Sequence, residues 1–243
     1  MMNRRRALMS VVSSGPAPAH GTWQDLFDRI ADGTYATAYS VGEILPLDLG
    51  TEGEVNAQIV AFNTDNKSDN SGKAKVSFVA QYLLKTSKRY NPAVSGSTVG
   101  TGIIGGWENC ELRAYLRDTI LPLFPSIVSN RIVAVKKYTC GYENGATNKN
   151  MLSNETIWSP SYREMSDATT FETSGIQYSL LKNATARTKK KATETSAIQW
   201  WSRSGANSGN TNAIAPTSAG SIISNYSKAV SNSRGVCIGF CID

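Results

Sequence analysis

Arg234-Gly235-Val236-Cys237-Ile238-Gly239-Phe240-Cys241-Ile242-Asp243 is the stretch on which the fold turns. Val236, Ile238, Phe240 and Ile242 alternate with smaller residues at period two, the pattern of a half-buried strand. What precedes it is compositionally opposite. Of the thirty residues from Ser204 to Ser233, twenty-three are Ser, Asn, Thr, Gly or Ala, a mixture that alone predicts a disordered tail. Ahead of that tract stands Trp200-Trp201-Ser202-Arg203-Ser204-Gly205, aromatic and β-prone. A polar tract anchored by a strand at each end is expected to form loops displayed between those strands.

Residues 1–21 form a basic arm rich in Pro, Ala, Gly and Ser, with no core of its own, and residues 22–243 form one domain. The arm's Arg4-Arg5-Arg6 and Ala7-Leu8-Met9 imitate a secretion signal, but the apolar part is at the short limit of such a signal's core. Arg4, Arg5, Arg6, Leu8 and Met9 are instead expected to anchor the chain in an assembly. Thr22 caps a helix carrying Trp23, Phe27 and Ile30 that ends at Asp32-Gly33. Strands are expected over 39–48, 56–62 and 75–82, the last two joined by a hydrophilic turn. Leu112, Tyr115, Leu116 and Ile120 place a second helix behind an Asn109 cap and before Pro122. A strand over 131–138 is followed by a polar loop from 141 to 155, a short buried Ile157-Trp158-Ser159-Pro160, and a surface excursion over 167–196. Two helices, short strands and long irregular loops make an α+β domain with a mostly antiparallel sheet.

Charge narrows the function classes. The chain of 243 residues has 25 basic and 19 acidic side chains, a formal net charge of +6. The excess sits in the arm and in Lys182, Arg187, Lys189, Lys190 and Lys191. Neither patch has the interleaved aromatics of a nucleic-acid surface, so no nucleic-acid partner is expected, and the second patch reads as a solvated basic loop. No apolar run approaches a membrane span, so no membrane insertion is expected. Cys110, Cys140, Cys237 and Cys241 offer no paired ligand spacing and are expected to be buried free thiols, and the lone His20 lies in the arm.

Catalytic motifs fail on context. Gly100-Thr101-Gly102-Ile103-Ile104-Gly105 matches a dinucleotide fingerprint but follows no buried strand. Ser179-Leu180-Leu181-Lys182 and Ser68-Asp69-Asn70 match fragments of a serine acyl-enzyme in the wrong chain order. Asp65 and Asp69, among Asn63, Asn66 and Asn70, could ligate calcium, but their spacing is not that of an EF-hand loop and an Asx-rich turn is the better reading. No cofactor and no catalytic residue is therefore expected. Trp107, Trp158, Trp200 and Trp201 are read as packing residues.

Four motifs in order carry a resemblance. Trp107-Glu108-Asn109-Cys110-Glu111-Leu112-Arg113-Ala114-Tyr115-Leu116, Ile157-Trp158-Ser159-Pro160-Ser161-Tyr162-Arg163-Glu164, Trp200-Trp201-Ser202-Arg203-Ser204 and Gly235-Val236-Cys237-Ile238-Gly239-Phe240-Cys241-Ile242 look like a family of uncharacterised domains of Gram-positive bacteria and their phages. The similarity covers roughly 22–243, with Ser202, Gly205, Cys237 and Gly239 departing from the usual residues. The resemblance implies a C-type-lectin-like fold, related to phage tropism determinants and to the formylglycine-generating enzyme scaffold, and a phage tail or fibre protein.

The resulting expectation is a virion structural protein, made in the bacterial cytoplasm and carried on the particle exterior as a receptor-binding adhesin. The arm would dock into other virion subunits. Asn207, Asn210, Asn212, Asn225, Tyr226 and Lys228 would meet a glycan or protein of the host surface, because amides and tyrosine adapt their contacts at low entropy cost. A homo-oligomer would multiply weak single contacts. Two alternatives stand beside it: a capsid or tail decoration protein with purely structural contacts, and a cell-wall polysaccharide hydrolase working through two carboxylates.

Overall fold

The computed structural model describes residues 20–206, 209–222 and 227–243, with Ser227 and Lys228 described in the backbone only. The anchor residues Arg4, Arg5, Arg6, Leu8 and Met9 lie outside the described residues, as do Asn207, Asn225 and Tyr226.

Helix α1 (Trp23–Ala31) begins where the sequence places it, with the Thr22 side chain accepting from the Asp25 N–H at 3.2 Å. It buries Trp23, Leu26 and Phe27 and stops at Asp32. After a single turn α2 (Tyr35–Ala38) come β1 (Ile44–Leu45), β2 (Ala57–Phe62) and β3 (Val76–Ala80), which form an antiparallel ladder. The first of these is far shorter than the 39–48 expected, because Pro46 removes a ladder donor immediately after Leu45.

The second helix is composite. A short α3 (Glu111–Tyr115) runs into a π-helical turn over Leu116–Ile120 and a 3₁₀ turn over Leu121–Leu123 that contains Pro122. Its cap is not Asn109, whose amide donates to the Gly105 carbonyl; the Cys110 thiol accepts the Arg113 N–H at 3.3 Å instead. Then follow α4 (Ser126–Ser129), β4 (Ile132–Val133), β5 (Val135–Glu143) and β6 (Ala146–Glu155). The last two are one long antiparallel hairpin, so the polar loop expected over 141–155 is a correction. Its residues are polar because half-buried β6 keeps one side toward water.

The chain continues through β7 (Ile157–Trp158), α5 (Tyr162–Met165) and α6 (Ala184–Arg187), then β8 (Trp200–Trp201), β9 (Asn212–Ile214), β10 (Ser227–Ala229), β11 (Gly235–Val236) and β12 (Gly239–Ile242). Strand β12 is central to the main sheet. One edge pairs with β3 from Gly239↔Val79 to Ile242↔Val76; the other pairs with β7 and then β4. The alternation read in the sequence is real, but the strand is buried on both faces, not one. Phe240 stacks on Phe78 at 5.1 Å, with Trp23 and Phe124 closing that face. Cys241, on the other face, meets Ser77 and Asp65. The architecture is α+β with mostly antiparallel pairing; β8 and β11 make a parallel two-residue pair that ties Trp200 to Gly235.

Two further expectations are corrected. The segment over 167–196 carries no strand, yet Phe171, Glu172, Tyr178, Leu181, Arg187 and Lys189 are buried, so the basic loop is solvated only in part. The tract over 204–233 is not a continuous display surface either: Ser204, Gly205 and Ala206 and the run Ala213–Ala215 are buried. Small residues are there because the chain packs against Ile103 and the Cys140 carbonyl, which a Cβ on Gly205 would meet at 2.6 and 2.8 Å. All four cysteines are free and buried, and among the described residues no helix is long and apolar enough to cross a membrane.

Candidate functional site

Two places concentrate polar groups, and they differ in kind. The first lies under the polar face of β12. Lys137 on β5 is buried and uses all three ammonium donors: Asp65 at 2.5 Å, the Tyr178 hydroxyl at 2.7 Å and Glu164 at 2.8 Å. Tyr178 and Ser77 donate in turn to the second Asp65 oxygen. Glu164 closes a capping box at the start of α5 with Ser161 and accepts from Arg203 at 2.7 Å. Arg203 also reaches the Ser159 and Tyr138 carbonyls and the Thr139 hydroxyl. Two cations face two carboxylates, so the cluster is neutral overall, and only about 50 Å³ of space adjoins it.

Its electrostatics follow from that pairing. Burial pushes the Asp65 and Glu164 carboxyls up, but Lys137 beside the first and Arg203 with Lys137 beside the second outweigh it and hold both below the usual carboxylate range. The same contacts outweigh burial at Lys137 and raise its ammonium. Glu172 is different: it accepts from the Cys140 and Arg163 N–H groups, no ion pair is made to it among the described residues, and burial raises its carboxyl. Both Asp65 oxygens are thus committed, one to a lysine and the other to a tyrosine and a serine. Asp69 accepts the Ser71 N–H in a turn. Among the described residues no group of three or more His, Cys, Asp or Glu is placed to hold a metal.

The second place is an open cleft of about 670 Å³ between the glycine-rich loop and the tip of the β5–β6 hairpin. Its walls include Glu108, Asn109, Tyr142, Glu143, Met151 and Asn210. The loop runs alongside the hairpin. Ile103 and Gly105 exchange backbone hydrogen bonds with Tyr142, and the Ile103 N–H donates to the Asn210 carbonyl at 2.8 Å. Gly102 makes that approach possible: it lies at φ +59°, and a Cβ there would sit 2.1 Å from the Asn210 oxygen.

The expected display residues separate on this geometry. Asn210 lines the cleft. Asn212 lies on β9, opposite Ala229, and Lys228 lies opposite Ala213. The cleft's other walls, Glu108, Tyr142 and Glu143, come from segments up to a hundred residues earlier. Only Glu108, inside the tryptophan motif, carried a local signal, and nothing in the sequence showed that the hairpin tip reaches it.

A family model for a domain of unknown function, DUF6273, matches residues 100–243, more than half of the chain. The chain belongs to the DUF6273 family. No curated protein and no solved structure matches it. The DUF6273 region holds both carboxylates and the tyrosine of the cleft, and Lys137, Glu164, Tyr178 and Arg203 of the ion cluster. Asp65 and Ser77 complete that cluster from outside it.

Proposed function

We propose that this chain is a non-catalytic recognition domain that holds a neutral, hydroxyl-rich ligand such as a glycan segment in the cleft beside Asn210, as a C-type-lectin-like receptor-binding protein of a phage particle would at a host surface. The observation that carries this reading is the cleft's chemistry. Its polar walls are carboxylates, amides and a tyrosine, with no lysine or arginine among the described residues. Carboxylates and amide oxygens accept hydroxyl hydrogens, amide nitrogens donate, and a tyrosine ring supplies an apolar face at low entropy cost. A neutral sugar face suits such a wall better than an anion does. The resemblance of the four motifs to phage and Gram-positive domains supports the setting.

The ion cluster supports the non-catalytic half. Lys137, Asp65, Glu164 and Arg203 are saturated by one another, and the adjoining space is too small for a substrate. The test is adsorption of the purified protein to host-cell-wall polysaccharide. Glu143→Gln and Asn210→Ala should each reduce adsorption while leaving the melting temperature unchanged. Adsorption equal to that of the unaltered protein in both variants overturns the reading.

A further inference from the structure

A third cleft, of about 570 Å³, lies between the β2–β3 ladder and the segment over 180–197. Its chemistry is the reverse of the first. Lys189 and Lys190 line it, with Tyr82, Asn183, Thr185 and Thr188, and among the described residues its lining contains no carboxylate. Lys189 is the unusual member. It is 2% exposed, and its ammonium donates to the Ala80 carbonyl at 2.5 Å, with Gln81 beyond at 3.5 Å. No acidic side chain is paired with it among the described residues, in contrast to Lys137 a few strands away.

A buried cation satisfied only by a carbonyl is costly, because a dipole replaces little of the hydration that burial removes. Burial accordingly holds the Lys189 ammonium below its ordinary value. Neighbouring cations offer no relief. Arg187 is also buried and directs its guanidinium at the Leu181, Lys182 and Gly220 carbonyls. Lys182 and Lys191 pair with Asp167 and Glu194, whereas Lys190 stands at the cleft without an ion pair among those described. Lys189 and Lys190 are thus the two cations at this concave surface, and neither has an ion pair among those described.

We infer that this cleft is a second, independent binding site, for a ligand bearing a phosphate or carboxylate group, whose negative charge meets Lys190 at the cleft wall, above the buried Lys189, while the Thr185 hydroxyl and the Asn183 amide hold the attached polar body. An anion there supplies the counter-charge that Lys189 lacks. A cation held in a low-dielectric wall attracts an anion more strongly than one surrounded by water does. The site needs neither the first cleft nor its proposed ligand.

Thermal unfolding and titration calorimetry of the full chain test it, with inorganic phosphate and glucuronate as probes and glucose and sodium chloride at matched ionic strength as controls. At least one anionic probe should raise the melting temperature and bind, with glucose and chloride inert; phosphate alone or glucuronate alone identifies the group. Lys189→Met should melt higher than the unaltered protein without anion, since a buried unpaired charge is gone, and should no longer respond to the probe. Lys190→Ala should weaken binding by about tenfold, equivalent to about 1.4 kcal/mol, and decides the matter should Lys189→Met fail to fold. A response reproduced by chloride, no response to either anion, or undiminished binding in Lys190→Ala overturns the proposal.

Discussion

The Lys137 ammonium sits 2.5 Å from the Asp65 carboxylate, with both side chains withdrawn from water and 72 residues between them in the chain. This contact joins the turn after β2 to the long hairpin. Removing one partner strands the other charge in a medium that cannot hydrate it. Lys137→Met should therefore cost about 3–5 kcal/mol of folding free energy, read from urea denaturation. A loss below about 1 kcal/mol would mean that water reaches Asp65.

The same cluster fixes the acid limb of stability. Asp65 and Glu164 have folded carboxyls held below the usual range by Lys137 and Arg203, so their contribution is complete above that range and disappears as the pH falls through it and below. Glu172 runs the other way: raised by burial, it favours the fold at low pH and loses that contribution as the pH rises through its folded value. Two lowered groups against one raised group give a net loss of stability on acidification. Urea midpoints across that range should show it, with a shallower slope in Lys137→Met, where the cause of the Asp65 shift is gone.

The thiols should be inert. Burial pushes Cys110 and Cys140 up to about 12 and Cys237 to about 11, and raises Cys241 well above its ordinary value. Thiolate is the reactive species, so a thiol reagent at neutral pH should label none of the four in the native protein and all four in denaturant. Labelling of one cysteine at a native rate would locate an opening of the sheet.

Gly102 should not tolerate a side chain. Alanine there meets both a positive φ and the Asn210 carbonyl, and the loop must move away from the hairpin. A stability loss of about 1–3 kcal/mol is expected, together with loss of adsorption, because the cleft's wall goes with the loop. Gly50, also at positive φ but with open space around it, should accept alanine at the smaller cost of the backbone conformation alone.

Elements with a strong local period were legible: α1 from its cap and its Trp23 stripe, β2, β3 and the alternation of β12. What escaped is non-local. The end of β5 and all of β6 read as a loop because their outward residues are polar and the turn, Asn144-Gly145, does not show how far the pairing extends. The ion cluster escaped because its members, at 65, 137, 164, 178 and 203, share no spacing; each of its four charged residues alone looks like an ordinary surface charge. Asn210 was found as one of many amides, whereas Glu143 and Tyr142 gained meaning only when the glycine-rich loop was laid beside them. Buried Lys189 could not be told from its half-buried neighbour Lys190, since adjacent identical residues differ only in where the backbone turns them.

Strand β12 sets the order of events during synthesis. The ladder of β1, β2 and β3 can assemble early, yet within the main sheet its outer edge meets β4 and β7 only through residues 239–242. Until those residues leave the ribosome β3, buried throughout in the finished protein, waits with a bare hydrophobic edge. An unpaired strand edge of this kind is a template for pairing with another chain, and β12 is the element that covers it.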